Sequence, residues 1–221
     1  MKERPILFNG AMVRAILDDS KTQTRRIVKP HRSDDAFCLV DYGDGWWPYR
    51  SEDGESPNVD NMEYPLNCPY GQPGDRLWVR ETFGEVYDWC DHPEMPGAGT
   101  ESWHIEWKYR ADGEPDCVDM DGAFTGWKPS IHMPRATSRI LLEIVSVRVE
   151  RLNDISEADA IAEGIEQLPG HPGRWWLGFD VSSLNYPSAR NAYTDLWESI
   201  NDAGSWAANP WVWVGEFRRL P

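Results

Sequence analysis

The segment that most constrains the fold is residues 138–151, Ser-Arg-Ile-Leu-Leu-Glu-Ile-Val-Ser-Val-Arg-Val-Glu-Arg. Apolar and polar residues alternate along it, which is typical of a long β-strand with one buried face. Shorter strand patterns lie on both sides of it, and the helical patterns between them are short. Because strands and helices do not alternate as βαβ units, the pattern argues against a doubly wound parallel sheet and predicts an α+β fold.

The remaining predicted elements are short. Strands are predicted at residues 5–8, 21–28, 76–81, 102–110 and 211–217. Helices are predicted at residues 11–19, 156–163 and 188–200, the last with Ala192, Tyr193, Leu196 and Ile200 facing inward. Ser156 and Asp159 have the spacing of a capping box, and Gly164 ends that helix.

The chain is predicted to be one domain, residues 1–221, with long irregular insertions rich in Pro, Gly and Asp. The core is expected in residues 1–29, 73–83, 102–110, 136–165 and 188–219. The insertions are expected in residues 30–72, 84–101, 111–135 and 166–187. Residues 84–101 and 111–126 in particular are expected to be loops.

Targeting and cysteine patterns favour a protein of the cytosol. No apolar run approaches the ~20 residues that span a bilayer, and Met1 to Pro5 lead into no apolar signal segment. We therefore expect no membrane partner. The four cysteines form no Cys-x-x-Cys pair, so neither a metal nor another cofactor is predicted, although a site using Cys90 and His92 stays open.

Charge is distributed unevenly along a chain of net charge −15. Residues 1–32 hold eight Lys or Arg and three acidic residues, whereas residues 33–126 hold five and 22. Such acidity argues against binding along a phosphate backbone. The basic segment at residues 1–32 either faces an anion or offsets acidic neighbours.

Thirteen tryptophans are far more than a chain of 221 residues usually contains. Most are expected to pack in the core, since an indole buries a large apolar area. A few could form a platform on which a flat ring stacks. The candidates are Trp46, Trp47, Trp78, Trp103 and Trp107, of which Trp78, on a predicted strand, is expected to be core.

Five segments in order resemble the ASCH family, whose members have a PUA-like β-barrel. They are the first helix with Lys21-Thr22-Gln23-Thr24-Arg25, the turn Pro73-Gly74-Asp75 with its strand, residues 138–151, Ile155-Ser156-Glu157 with its helix, and the strand Val212 to Phe217. The whole chain resembles the larger ASCH-like proteins of bacteriophages and prophages. The resemblance implies a PUA-like mixed β-barrel with short helices at its rim, in the cytoplasm of a bacterial host cell.

The resemblance also implies a site. Small members of the family resemble amidohydrolases that remove the acetyl group of N4-acetylcytidine. In them a lysine accepts a proton, a threonine is the nucleophile and a glutamate donates a proton. Matched motif by motif, these roles fall on Lys21, Thr24 and Glu163, with Glu157 as an alternative to Glu163.

The geometry of that site depends on where the strand begins. Lys21 and Thr24 lie three positions apart and would face opposite sides of a regular strand, so they converge only if Lys21 lies in the preceding turn. Asp19-Ser20 replaces the family's Gly-Arg before Lys21, and this acid is expected to raise the lysine pKa. An apolar site, or Arg25 or Arg26 nearby, would lower that pKa instead.

Several functions remain open from the sequence. The chain could hydrolyse an N-acylated nucleoside, or read a modified base or RNA without chemistry. It could also engage a host protein through its acidic middle, and a ribonuclease is disfavoured because no His pair is evident. The expected ligand is a modified nucleoside or a single-stranded nucleic acid end. Its predicted contacts are Thr22, Arg25, Arg26, Arg80, Trp46 and Trp47.

Overall fold

The computed structural model describes residues 1–29, 36–41, 43, 45–51, 65–90, 101–114, 124–170, 176–177 and 185–221. It has a mixed α+β fold rich in strands. The strands are β1 Glu3–Leu7, β2 Gln23–Ile27, β3 Ala36–Asp41, β4 Trp46–Ser51, β5 Arg76–Arg80, β6 Phe83–Cys90, β7 Glu101–Tyr109, β8 Phe124–Lys128, β9 Leu141–Arg151, β10 Trp176–Leu177, β11 Asn185–Tyr186 and β12 Trp211–Arg219. The α-helices are α1 Gly10–Leu17, α2 Glu157–Ala162 and α3 Ala189–Asn201.

The central sheet has five strands in the order β1-β5-β9-β12-β2. β1 pairs with β5 in parallel, and the other pairs are antiparallel. The predicted long strand is confirmed as β9, which is paired along its whole length by β12. β1 and β2 are the two edges of this sheet, and no ladder joins them within the described ranges, so the expected barrel is not closed.

The core lies between this sheet and the helices α1 and α3. Met12, Val13 and Ile16 of α1 pack in one cluster with Leu142 and Val212 of the sheet. The predicted inward residues Ala192, Tyr193 and Leu196 of α3 join the same cluster. Ile200 does not: it is 51% exposed, because the last turn of α3 extends beyond the core to a cleft that the same residue lines.

Local capping signals place the helix ends where the sequence predicts them. The Ser156 hydroxyl accepts the backbone N–H of Asp159, and the Asp159 carboxylate accepts the backbone N–H of Ser156. This capping box begins α2. The helix ends at Glu163, and Gly164 follows it with φ +93°.

A second sheet in the order β7-β6-β8 corrects two loop predictions. Residues 84–90 belong to β6, and residues 124–126 belong to β8. Gly84 and Gly126 hide the strand pattern in the sequence, but partners on both sides satisfy the backbone of β6, and Phe83 and Val86 are buried there. Within the insertion at residues 30–72, β3 and β4 form an antiparallel hairpin.

Candidate functional site

Two turns that are distant in sequence bring Lys21 and Glu163 together. α1 ends at Asp18, and Asp19 takes φ +58°, so the chain reverses before β2 begins. Lys21 therefore lies in the turn and forms an antiparallel bridge with Glu163, the residue that ends α2. Its Nζ donates to Oε2 of Glu163 at 2.6 Å and to the Glu163 backbone oxygen at 2.8 Å.

Close packing of the two turns depends on Gly164. A Cβ added to Gly164 would lie 2.9 Å from Cβ of Ala15 and 3.1 Å from Cβ of Lys21. Both spacings are shorter than ordinary van der Waals contact, and the positive φ of Gly164 also favours glycine. The lysine and the carboxylate thus meet across a backbone approach that no larger residue permits.

Arg25 holds the other oxygen of Glu163. Its Nη1 donates to Oε1 of Glu163 at 3.2 Å, and its Nη2 donates to Oε1 of Glu150 at 2.7 Å. Nη2 also lies 3.6 Å from Oδ2 of Asp159. Arg25 and Glu163 are almost fully buried. Burial opposes the charge of Arg25, but the surrounding carboxylates, led by Glu163, raise its pKa.

Burial makes Lys21 a stronger candidate base than the sequence indicated. Loss of solvent lowers the pKa of the Lys21 ammonium; the charge of Glu163 opposes this, and Arg26 and Arg25 add to it. The expectation that the preceding acid raises this pKa is wrong. Asp19 turns away from Lys21 and pairs at the surface with Arg219 at 3.1 Å, so its charge is balanced there by the guanidinium.

Tyr193 is a member of the site that sequence reasoning assigned only to the core. Its hydroxyl donates to Oε1 of Glu163 at 3.4 Å. Burial, followed by the Glu163 charge, raises the pKa of Tyr193 well above 10, so the phenol stays protonated and can donate. The inward position of Tyr193 on α3 was visible in the sequence, but no local signal indicated a carboxylate beside it.

Thr24 lies on the other face of β2 from Arg25, as the alternation of a strand requires. It lines a small cavity with Arg26, Tyr70, Ile144 and Phe217. The residue is 4% exposed, and its Oγ1 has no hydrogen-bond partner among the described residues. Lys21 and Glu163 are thus in contact, while the Thr24 hydroxyl is buried on the other side of β2 without a bond to either.

A cleft of about 600 Å³ reaches Glu163 of the ion pair. Arg25, Glu163 and Tyr193 form its buried end. Its walls are largely apolar, and its basic residues are Arg25, Arg26 and Lys29. The apolar wall residues include Phe8, Met12, Tyr70, Leu196, Trp197 and Ile200.

Arg26 and Tyr70 line this cleft and the Thr24 cavity alike. These two side chains therefore separate the buried hydroxyl from the space above the Lys21–Glu163 pair. Among the predicted ligand contacts, Arg26 is the one that lines both the cleft and the Thr24 cavity.

Four other predicted ligand contacts lie outside the lining of this cleft. Thr22 is exposed and bonds through its backbone to Ala162 and Phe217. Arg80 donates to the backbone oxygen of Met133 and covers the ring of Trp78 at 4.8 Å. Both residues are held by local structure rather than aimed at the ion pair.

The predicted tryptophan platform is also dispersed. Trp47 donates from its indole to the backbone oxygen of Leu66 and packs edge-on against Trp213 at 5.1 Å. Trp46 is 45% exposed and lies against Trp211 at 5.3 Å. Trp78 is buried, as expected for a core strand. Trp197, which sequence reasoning did not select, lines the cleft instead.

Other predictions concern metals and the acidic segment. Within the described residues, no group of three or more His, Cys, Asp or Glu side chains could hold a metal ion. The Cys90 side chain and His92 lie outside the described part, as do the side chain of Trp103 and residues 52–64, 91–100 and 115–123 of the acidic segment. None of the described helices is long and apolar enough to cross a bilayer.

Comparisons with models of known protein families, with curated proteins and with solved structures each return no match.

Proposed function

We propose that the cleft binds a nucleobase or modified nucleoside and that the chain hydrolyses an N-acyl group such as that of N4-acetylcytidine. The observation that carries this proposal is the buried Lys21–Glu163 pair, joined at 2.6 Å, whose Glu163 lies at the buried end of the cleft. Buried ion pairs are weak sources of stability, because desolvation offsets their attraction. A buried pair at the end of a cleft is therefore a candidate for chemistry.

The pair offers a base and an acid through one proton transfer. Moving a proton from Nζ of Lys21 to Oε2 of Glu163 leaves a neutral amine and a carboxylic acid. Thr24 can act only once Arg26 and Tyr70 move aside and join its cavity to the cleft. The neutral amine then takes the Thr24 proton while the Thr24 oxygen attacks the acyl carbon. Glu163 protonates the leaving amine as the C–N bond breaks, and water then hydrolyses the acyl ester and releases the free acid.

Other groups in the cleft suit the same reaction. The protonated phenol of Tyr193 and the guanidinium of Arg25 are donors that can face a developing oxyanion. Phe8, Tyr70 and Trp197 supply flat apolar surface for a base ring. The net charge of −15 favours a small ligand over a long polyanion.

The resemblance to ASCH proteins supports the assignment of roles to Lys21, Thr24 and Glu163. We further propose that the five-stranded sheet is an open version of the PUA-like barrel. Its edge strands β1 and β2 face each other across Arg26, which donates to the backbone oxygen of Leu7 at 3.0 Å. A side-chain contact of this kind takes the place of a ladder between the two edges.

The test is acetate release from N4-acetylcytidine by the purified chain and by Thr24→Val. Valine keeps the shape of threonine and removes a hydroxyl that has no partner, so folding should be as stable as before or more so. We expect the wild type to turn over and Thr24→Val to lose activity. Thr24→Ser, which keeps a hydroxyl, should retain part of it.

Thr125→Val is a matched control, since Thr125 is exposed on β8, outside the cleft lining. It should leave turnover unchanged. Full activity in folded Thr24→Val would remove threonine as the nucleophile. Absence of turnover in the wild type with any N-acylated nucleoside would reject hydrolysis altogether.

A reader without catalysis is the second candidate. It is favoured by one observation: among the described residues, both hydrogen bonds of Lys21 Nζ go to Glu163, and none goes to Thr24. This function predicts saturable binding of N4-acetylcytidine in calorimetry with no release of acetate. Binding of N4-acetylcytidine accompanied by release of acetate would reject the non-catalytic reader in favour of the hydrolase.

A further inference from the structure

Arg26 and Lys29 are cations of the cleft that have no carboxylate partner in the part of the chain that the structure describes. Arg26 donates only to backbone oxygens, and Lys29 is exposed at the cleft beyond the end of β2. Acids outnumber bases in the chain by 37 to 22. The other described arginines that bond to backbone oxygens and to no carboxylate lie outside the cleft lining: Arg14, Arg80, Arg151 and Arg190. Most described arginines, among them Arg4, Arg139 and Arg148, pair with carboxylates.

The guanidinium of Arg26 is held in place before any ligand arrives. Nη1 donates to the backbone oxygen of Arg25 and Nη2 to that of Leu7, both at 3.0 Å. Its Cζ lies 5.4 Å from the centre of the Phe8 ring. A guanidinium has five N–H donors, so about three stay available to a ligand. Preorganisation of this kind lowers the entropy that a bound anion must overcome.

The rest of the cleft does not cancel these charges. Glu163 is the acidic residue of the lining, and it is already paired with Lys21 and Arg25. Arg25 is further paired with Glu150. Among the described residues that line the cleft, the charge left uncompensated is therefore that of Arg26 and Lys29.

We propose that Arg26 and Lys29 form a subsite for one phosphate group, so that the ligand of the cleft is a nucleoside monophosphate rather than a free nucleoside. This rests on the proposed function, which puts the base at the buried end of the same cleft. A fixed guanidinium matches two phosphate oxygens, and a flexible ammonium adds the second charge that a dianion requires. The single phosphate escapes the repulsion that a polynucleotide would meet on a chain of net charge −15.

Calorimetry with cytidine, cytidine 5′-monophosphate, inorganic phosphate and a cytidine trinucleotide tests this subsite. We expect the monophosphate to bind at least about tenfold more tightly than cytidine, the factor that one good charge-assisted contact supplies. That advantage should shrink when NaCl rises from about 50 to about 200 mM, while cytidine binding should not change. Inorganic phosphate should compete with the monophosphate, and the trinucleotide should bind less tightly than the monophosphate.

Two variants locate the subsite. Arg26→Gln and Lys29→Gln should each remove most of the advantage that the monophosphate has over cytidine in the same protein, and Lys29→Gln should leave cytidine binding itself intact. Lys29 is exposed, and its side chain forms no hydrogen bond or ion pair with the described residues. Lys29→Gln therefore still tests the subsite if Arg26→Gln unfolds. Arg218→Gln is the matched control, because this substitution changes the net charge by the same amount. Arg218 is 67% exposed and pairs with Glu143.

The outcomes separate the two proposals. If cytidine binds and the monophosphate binds no better, the phosphate subsite is overturned while the proposed function stands. If the advantage persists in both variants, or the trinucleotide binds as tightly, Arg26 and Lys29 do not form a monophosphate subsite. If the monophosphate binds but N4-acetylcytidine is not hydrolysed, the subsite stands and the hydrolase does not.

Discussion

Lys21 and Glu163 lie 142 positions apart, yet one ammonium donates to both the side chain and the backbone of the glutamate. The carboxylate is in turn shared with Arg25 and Tyr193. Two cations, one anion and a phenol thus meet where almost no solvent reaches. The charge balance of this group controls both folding and any chemistry in the cleft.

Replacing both Lys21 and Glu163 should lower the free energy of unfolding by less than the two single replacements added together. Glu163→Gln leaves the Lys21 ammonium buried without a countercharge, so we expect the free energy of unfolding to fall by about 3–5 kcal/mol. The double variant Lys21→Met/Glu163→Gln should lose clearly less than the sum of the single variants. Urea titrations of the wild type, Lys21→Met, Glu163→Gln and the double variant measure this coupling.

The exposed ion pair Asp19–Arg219, at the same end of α1, is the control for this comparison of single and double variants. Asp19→Asn removes the partner of Arg219 on the surface and should leave the free energy of unfolding almost unchanged. Equal losses in Glu163→Gln and Asp19→Asn would show that the buried pair has no special role in stability.

The pH dependence should follow the lowered pKa of Lys21. The reaction needs one proton on the Lys21–Glu163 pair, because Glu163 must protonate the leaving amine. Hydrolysis should therefore fall as pH rises through the lowered pKa of Lys21, which lies below 10.5, the ordinary lysine value. Stability should rise through the same window, since the unfolded chain binds the Lys21 proton there and the folded chain does not. Lys21→Met should lack this component of the rise; an identical profile in that variant would contradict the assignment.

Gly164 should matter through contact as well as through its backbone angle. Gly164→Ala strains a residue at φ +93° and pushes a methyl group against Ala15 and Lys21. We expect a loss of more than about 1–2 kcal/mol in stability, the cost of left-handed backbone alone, together with reduced turnover because Lys21 is displaced.

Gly170→Ala separates the two effects. Gly170 has φ +81°, and no atom of the described residues lies within 4 Å of an added Cβ, so this variant has the backbone strain without the contact. Denaturation should show a smaller loss than for Gly164→Ala, and activity should be retained. Equal effects of the two substitutions would mean that the close approach of the turns is unimportant.

Acid should destabilise the chain through Asp159. Although burial opposes it, hydrogen bonds from Ser156 and Gln23 and the charge of Arg25 lower the pKa of Asp159 to about 2. The unfolded carboxyl has the ordinary value of 3.8. Its contribution is therefore complete above about pH 4 and is lost as pH falls toward 2.

The size of that loss is modest. We expect about 1 kcal/mol, because water screens the part of this carboxylate that is exposed. Denaturation at several pH values should show a shallower acid loss in Asp159→Asn than in the wild type. Parallel curves for the two proteins would contradict the pKa assigned to Asp159.

Local patterns in the sequence predicted the elements that position the site. The alternation of residues 138–151 and the capping box at Ser156 are confirmed, because each depends on residues close together in the chain. The same reasoning failed for β6, where glycine hides the pattern, and for Ile200, whose exposure depends on where the cleft lies.

What the sequence determined by itself is the identity and the face of each segment, since side-chain alternation and helix caps are set within a few residues. The tertiary structure alone decided which charges meet: Asp19, two positions from Lys21, pairs with Arg219, while Glu163 reaches Lys21 from α2. It also placed Trp197 rather than Trp46 in the cleft. The physical reason is that periodicity states which way a side chain points, whereas its partner depends on how distant backbones pack.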